Sequence, residues 1–306
     1  MKKLTQITLL LAAVAVAGCS KNNEGPATPP MPEGPVAVQL SAGLHTLPAP
    51  KSPVVSGTKF EAAVAGWESA SAANYAAAAT WSTTAQITAS ASASDITLAQ
   101  TQTYSQQSGV KTYMKAWYPA GTLGANGKVT FGGTQDGTTD VLLAGEVSGS
   151  ATDSDPKTLV FNHPLTQLKF KVDADAAFGT STAITGISVQ GAALPAGLDL
   201  VADAVTYAAG ATLPVPGIAS GQTITTTAAP AGDPVMMKPF TGNRITLTVT
   251  TSAANYDNVT ATIDDDADFI AGKAYTITLH FSGADLQAKA QVTDWVDSGT
   301  GEGTVQ

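Results

Sequence analysis

Few residues of this chain could do chemistry, and the densest group of them is acidic. Asp264, Asp266 and Asp268 occupy alternate positions, as the first three ligands of a calcium-binding loop do. Such a loop also needs glycine at its sixth position and glutamate at its twelfth, where this chain has Phe269 and Tyr275. The pattern therefore favours a solvated turn ahead of the next strand over a metal site.

Catalytic residues are equally scarce. No serine lies in the Gly-x-Ser-x-Gly turn of a hydrolase, and no phosphate-binding loop is present. The three histidines, His45, His163 and His280, are far apart, and His163 lies in an apolar strand, where a core or edge role is typical. The one cysteine, Cys19, excludes an internal disulfide and a cysteine-based zinc site. We predict a protein that is not an enzyme and has no cofactor or metal.

Composition sets the class of fold that must position these residues. Of 306 residues only 13% are charged and 43% are hydrophobic, with 29 glycines and 17 prolines, which suits many short strands joined by turns. The 15 basic residues are outnumbered by 24 acidic ones, for a net charge of −9, and Arg244 is the single arginine. A phosphate-binding surface needs clustered basic residues, so we exclude nucleic acid as a partner.

The start of the chain is typical of an export signal. Two lysines precede an apolar run at residues 7–17, which is too short for a permanent membrane helix. Gly18 and Cys19 follow, and this ending resembles the lipobox of bacterial lipoproteins, in which the signal is cut before an acylated cysteine. We therefore predict a signal peptide over residues 1–18 and a lipid on Cys19; an ordinary signal with an incidental cysteine is the alternative.

A proline-rich segment at residues 19–35 predicts an extended tether. The next residues, 36–44, alternate strictly between apolar and small or polar side chains, which predicts a single strand between two proline-rich linkers. The residues on its apolar face are Val36, Val38, Leu40, Ala42 and Leu44.

The remainder predicts short strands separated by glycine-rich turns, without alternating helices. The predicted strands are residues 81–89, 96–103, 111–118, 128–131, 141–147, 159–172, 184–189, 241–251, 259–263, 274–281 and 286–295. This spacing favours antiparallel β-sandwiches, one over residues 36–156 and one over 157–306, with a polar break between them. Ala70–Ala79 could instead be one short helix, since alanine favours helices, and this stays open.

Several motifs in this order resemble the fimbrillins, the type V pilus subunits of the Bacteroidales. They are the lipobox followed by a separable first strand, the Lys-Ala-Trp-Tyr-Pro at 115–119, the Phe-x-His-x-Leu at 161–165, the strand at 269–279 and the Val-Thr-Asp-Trp at 292–295. The resemblance implies an all-β chain of two transthyretin-like sandwich domains, exported as an outer-membrane lipoprotein to the cell surface.

The resemblance also implies a mode of assembly. A surface protease removes the N-terminal strand, here residues 36–47, and a strand from another pilin subunit replaces it. Family members are usually cut after an arginine, and because none precedes Arg244, the nearest basic candidates are Lys51 and Lys59. The donor implied is the C-terminal segment, in which Ala288, Ala290 and Val292 alternate.

Two other functions stay open. The chain could be a non-polymerising surface lipoprotein, with an accessory, tip or anchor role, that binds glycan or host protein through a sandwich face. Its tryptophans would then be stacking platforms or, as is more usual, core residues: Trp67, Trp81, Trp117 and Trp295. A lipoprotein hydrolase is the third alternative, for which the chain offers no nucleophile and base.

Overall fold

The structure is a computed structural model that describes residues 30–45, 54, 56–178, 181–218, 221–263, 268–282 and 285–294. The chain divides into a short unit, Met1–Pro30, and a large one, Met31–Gln306, and the described strands all belong to the large unit. Helical structure in the described residues is limited to two three-residue 3₁₀ turns, Ala125–Gly127 and Ala176–Phe178. The chain is therefore all-β, as its composition predicts.

The first half of the chain forms nine described strands. They are β1 Leu40–Leu44, β2 Lys59–Ser69, β3 Trp81–Thr88, β4 Ser94–Ile96, β5 Lys111–Tyr118, β6 Thr122–Leu123, β7 Lys128–Thr130, β8 Leu142–Gly149 and β9 Lys157–Asn162. Seven of them make one sheet in the order β3-β2-β5-β8-β9-β1-β4. The Ala99 amide donates to the Thr84 carbonyl, so the chain beyond β4 meets β3 and the sheet curls around its core.

Alternation of side chains gives the two faces of this sheet different surroundings. In β2 the buried residues Phe60, Ala62 and Val64 alternate with Glu61, which is exposed, and Ala63, which packs against a separate apolar cluster on the other face. The larger side chains of the enclosed core are Leu40, Leu44, Phe60, Ile87, Tyr104, Met114, Leu142, Leu159 and Phe161.

The second half contributes the other twelve described strands. They are β10 Thr166–Ala174, β11 Ala183–Ala192, β12 Pro195–Asp199, β13 Ala204–Tyr207, β14 Ala211–Pro214, β15 Gln222–Thr223, β16 Ala229–Pro230, β17 Val235–Met237, β18 Arg244–Thr251, β19 Asn255–Ile263, β20 Lys273–Ser282 and β21 Asp285–Asp294. The main sheet has the order β14-β11-β18-β19-β21-β20-β10-β16, with β15 paired to β11 and β17 to β10. Phe170, Leu247, Phe269, Ile277 and Phe281 lie in its core.

A third sheet joins the two halves of the sequence. Its order is β13-β12-β7-β6, so two strands from each half pair with one another. Gly197 of β12 approaches β7 so closely that a Cβ there would lie 1.9 Å from the Val129 carbonyl oxygen. A separate apolar cluster packs against this sheet, and its large members are Trp67, Trp117, Phe131, Leu165, Leu198, Leu200 and Met236.

The structure corrects several details of the sequence interpretation. Three strand pairs are parallel (β1 with β9, β10 with β20, and β19 with β21), whereas the pattern predicted antiparallel pairing. Residues 70–79 are turns and irregular chain, because they cover Trp67, whose Nε1 donates to the Ala77 carbonyl at 3.1 Å. The predicted strand at 96–103 is regular only at Ser94–Ile96 and continues as isolated bridges.

The junction between the halves also differs from the predicted position. β9 pairs with β8 and β1, so it belongs to the first sheet although it follows residue 156. The chain leaves that sheet at residues 163–165 and enters the second at Thr166. The division into two sandwich domains stays a prediction, and any boundary consistent with the sheets lies after Asn162.

Candidate strand-exchange site

The alternating N-terminal segment enters the core of the first sheet. Leu40, Ala42 and Leu44 are at most 3% exposed, and Val38 is 8% exposed. Val36 is half-buried and packs against the same cluster. All five residues predicted for the apolar face of the segment thus contact the core. Strict alternation produces this burial because successive side chains of a strand point to opposite faces.

Backbone hydrogen bonds hold the same segment on both sides. β1 pairs in parallel with β9, from Leu40 opposite Lys157 to Leu44 opposite Phe161, and antiparallel with the short β4. Before β1, the Val38 amide donates to the Gln102 carbonyl at 2.8 Å. β1 is therefore an interior strand, with its ladder groups satisfied in both directions.

The outward face of β1 is closely packed as well. The hydroxyls of Ser41 and Thr158 lie 2.9 Å apart, which joins β1 to β9 through side chains. Gly43 faces the chain after β3, where a Cβ would lie 3.1 Å from the Ala93 backbone. Tyr104 packs below the segment, and burial, assisted by the Asp153 charge, raises the pKa of its hydroxyl to about 12. The segment thus fills a slot, which is bounded by β4 and β9 on its two sides and by Tyr104 of the core below it.

The predicted donor, β21, is also an interior strand in this chain. It pairs antiparallel with β20 over ten positions and parallel with β19 at Ala261–Ile263. The register places Ala288, Ala290 and Val292 opposite the buried residues Leu279, Ile277 and Tyr275. Paired residues share a face, so Ala288 lies on the core-facing side of the sheet, where it packs against the second core.

The residues predicted for export and processing fall in different places. Gly18, Cys19 and Lys51 lie outside the described residues, and their roles stay predictions. Lys59 is exposed but is the first residue of β2, where its backbone pairs with Thr88 of β3. A protease needs extended, unpaired chain, and the paired backbone of Lys59 does not meet that requirement.

The other residues considered for chemistry lie apart. His163 is buried, with its Nδ1 3.1 Å from Asp140 Oδ2, and Asp268 accepts a hydrogen bond from the Gly242 amide at 2.7 Å. Asp264, Asp265 and Asp266 lie outside the described residues. Within the part of the chain that the structure describes, no three acidic, histidine or cysteine side chains are grouped to hold a metal.

The tryptophans considered as stacking platforms are placed differently. Trp67 and Trp117 are core residues, Trp81 is half-buried, and Trp295 lies outside the described part.

Sequence reasoning missed one polar site, at the junction of the halves. Lys115 of β5 is 4% exposed, and its Nζ donates to the Leu200 carbonyl and to Asp203, both at 2.9 Å. The ammonium also lies 4.3 Å from the centroid of the Tyr75 ring. Burial and then the hydrogen bond to Glu146 raise the pKa of the Tyr75 hydroxyl. The sequence signals this site only through the position of Lys115 between the apolar residues Met114 and Ala116 of a strand.

Solved structures define the class of this fold. The chain superposes on a Bacteroides uniformis protein assigned to cell adhesion (TM-score 0.53, 17% identity, 86% of this chain and 100% of that one). It superposes similarly on a Bacteroides ovatus protein assigned to cell adhesion (TM-score 0.54, 13% identity, 87% and 100%). A fimbrial protein of Bacteroides vulgatus also matches (TM-score 0.52, 12% identity, 84% and 99%). At these identities the likeness establishes the fold alone.

A match to a family model assigns the chain to a protein family, which the structural likeness alone does not do. Residues 54–295 match the model of the fimbrillin-like family, and the chain belongs to that family. No curated protein sequence matches the chain. Family membership identifies a subunit related to pili or adhesion, associated with a cell-surface appendage. Among the described residues no helix has the length and apolarity to cross a membrane.

Proposed function

We propose that this chain is a structural pilus subunit, exported as an outer-membrane lipoprotein through Cys19 and assembled with other subunits by strand exchange. In this proposal a surface protease cuts after β1, at Lys51, and another subunit's strand takes the place of β1. The observation that carries the proposal is the state of β1. It is buried and hydrogen-bonded on both sides. Its only covalent connection to the later strands of the sheet is the chain at residues 46–53, so one cut there would separate it from them.

The energetics explain why an emptied slot would be refilled. Burial of one Val or Leu side chain stabilises a fold by about 1.5–3 kcal/mol, as an upper estimate. Val38, Leu40 and Leu44 together therefore account for several kcal/mol, against the ~5–15 kcal/mol that stabilises a whole domain. Loss of β1 would also leave backbone groups of β9 and β4 unpaired. An added strand restores both contributions through β-augmentation.

The test is to place a specific protease site in residues 46–53, cut it, and remove the N-terminal piece in mild denaturant. Light scattering after refolding should show oligomers. A synthetic peptide of residues 36–45 should restore monomers, whereas the same peptide with Leu40→Asp and Leu44→Asp should not. A cut chain that stays a stable monomer without peptide would refute strand exchange. Repeating the cut in a chain that lacks residues 286–306 tests the donor alone.

Anchoring is tested separately. Cys19→Ala should move the protein from the outer-membrane fraction to the soluble fraction, because a single attachment site holds the acyl chains. Cys19→Ser is the conservative variant and should behave in the same way. If either variant still sediments with the outer membrane, the lipid is not the anchor.

The alternative, a non-polymerising surface lipoprotein, is favoured by one observation. β1 is an interior strand with a packed outer face, so its removal is costlier than removal of an edge strand would be. Under this alternative the cut chain retains β1 and remains monomeric through the denaturant step. The two functions therefore predict opposite results in the light-scattering experiment.

A further inference from the structure

One outward surface of the second sheet gathers cations in a chain that is otherwise acidic. Register pairing runs from Lys171 of β10 through Thr278 of β20 and Lys289 of β21 to Thr262 of β19 and Arg244 of β18. These five positions make one row across five neighbouring strands, which we term the basic row. All three cations of the row are exposed.

The spacing of the row is regular. Neighbouring strands lie about 4.8 Å apart, so cations on every second strand lie about 10 Å apart. The two positions between them are threonines, Thr278 and Thr262, which offer hydroxyl groups. Lys169 stands beside the row, paired with Thr276 one step along β10 and β20.

The surface around the row is concave. A trough of about 690 Å³ lies over β19, β20, β21 and the end of β10, and its lining includes Thr262, Thr278, Lys289, Gln287 and Gln291. Asp173, which lines this trough, and Asp175 both lie near His280, whose Nδ1 is 2.8 Å from Asp173 Oδ1 and whose Nε2 is 3.3 Å from Asp175 Oδ1. The five positions of the basic row itself are three cations and two threonines.

We propose that the basic row and its trough bind a linear acidic polysaccharide, with one carboxylate or sulfate for each cation. Threonine hydroxyls and glutamine amides match the hydroxyls of sugars, and the wide spacing of the cations matches an acidic group on alternate sugar units. Duplex DNA carries one charge per about 1.7 Å and is held by dense contacts to phosphates, which a row with such wide spacing does not provide. The row lies along a trough, which fits a chain-like ligand better than the flat surface of an anionic membrane.

The test uses the purified full chain and fluorescent oligosaccharides of equal length. Hyaluronan oligosaccharides carry a carboxylate on every second sugar, chondroitin sulfate oligosaccharides add a sulfate to each such repeat, and neutral dextran is the uncharged probe. At least one of the acidic probes should bind, more weakly as salt rises, and neutral dextran should not. Binding to neutral dextran with equal affinity, or no binding to either acidic probe, would overturn the proposal.

Two double variants with the same loss of charge locate the site. Lys171→Gln with Lys289→Gln should weaken binding about tenfold, equivalent to ~1.4 kcal/mol, and reduce the salt dependence. Lys59→Gln with Lys111→Gln removes two exposed lysines from the first sheet and should change binding less than about twofold. Arg244→Gln, at the end of the row, leaves β20 and β21 unaltered and should give a smaller loss.

Equal losses in both double variants would refute the location of the site. If a DNA duplex or vesicles of phosphatidylglycerol bind more tightly than the acidic oligosaccharides, the row has a different partner and the polysaccharide proposal is refuted. Because the row is complete in the uncut monomer, with β21 in place, these measurements do not require strand exchange. A chain that fails to polymerise can still bind the probe, and a polymerising chain can fail to bind it.

Discussion

β1 and β21 are both alternating strands with two neighbours, yet they are held differently. β1 has five residues, pairs with strands distant in sequence, and inserts nearly fully buried side chains into the first core. β21 has ten residues and follows β20 directly, so its long antiparallel ladder is local. Its Leu286 and Ala288 are only half-buried against the second core.

The difference indicates which strand is suited to which role. Removal of β1 opens an apolar slot, because its stabilisation comes chiefly from buried side chains. Removal of β21 uncovers the backbone of β20 and β19, because β21 forms ladders with both strands. Under the proposed strand exchange, a slot that specifies register through its pockets would serve as the acceptor and a long strand with a regular ladder as the donor.

The largest expected effect compares one leucine from each strand. Leu40→Ala should lower the free energy of unfolding by about 2–5 kcal/mol, because it leaves a cavity in a closed core. Leu286→Ala should lower it by about 1 kcal/mol, since the side chain is already half-exposed. Urea unfolding followed by fluorescence measures both, and equal losses would contradict the comparison.

A smaller effect probes the outer packing of β1. Gly43→Ala brings a Cβ to within 3.1 Å of the Ala93 backbone, so we expect a loss of about 1–3 kcal/mol. Gly145→Ala in β8 is the matched control, because a Cβ there meets nothing within 4 Å and the change should stay below about 1 kcal/mol. If thermal unfolding shows Gly43→Ala to be neutral, the slot around β1 is looser than the structure indicates.

The smallest effect concerns the sheet that contains β21. The hydrogen bond to Asp173, then the charges of Asp173 and Asp175, raise the pKa of His280. A raised pKa means that this contact stabilises the fold at low pH and that its contribution is lost as pH rises through the folded-state pKa. Asp173→Asn should lower the pKa of His280 in an NMR titration. Asp257→Asn, from an exposed position on β19, should leave it unchanged; equal shifts in the two variants would exclude a specific contact.

The sequence determined the local features of this protein. Strict alternation predicted the burial of Val38, Leu40, Ala42 and Leu44, and β5 begins and ends where the pattern placed it, at Lys111 and Tyr118. These predictions succeed because a strand's two faces are set by a period of two along the chain. The motifs also pointed to the family that the comparison with known proteins established.

Only the tertiary structure decided which strands became neighbours. The parallel pairing of β1 with β9 joins residues more than a hundred positions apart, and the third sheet joins β7 to β12 across the predicted boundary. The basic row likewise exists only through the register of five strands, and Lys115 is buried only because Leu200 and Asp203 reach it from the other half. Alternation fixes which face of a strand is buried but carries no information about its partner, because long-range pairing depends on how whole layers fit together.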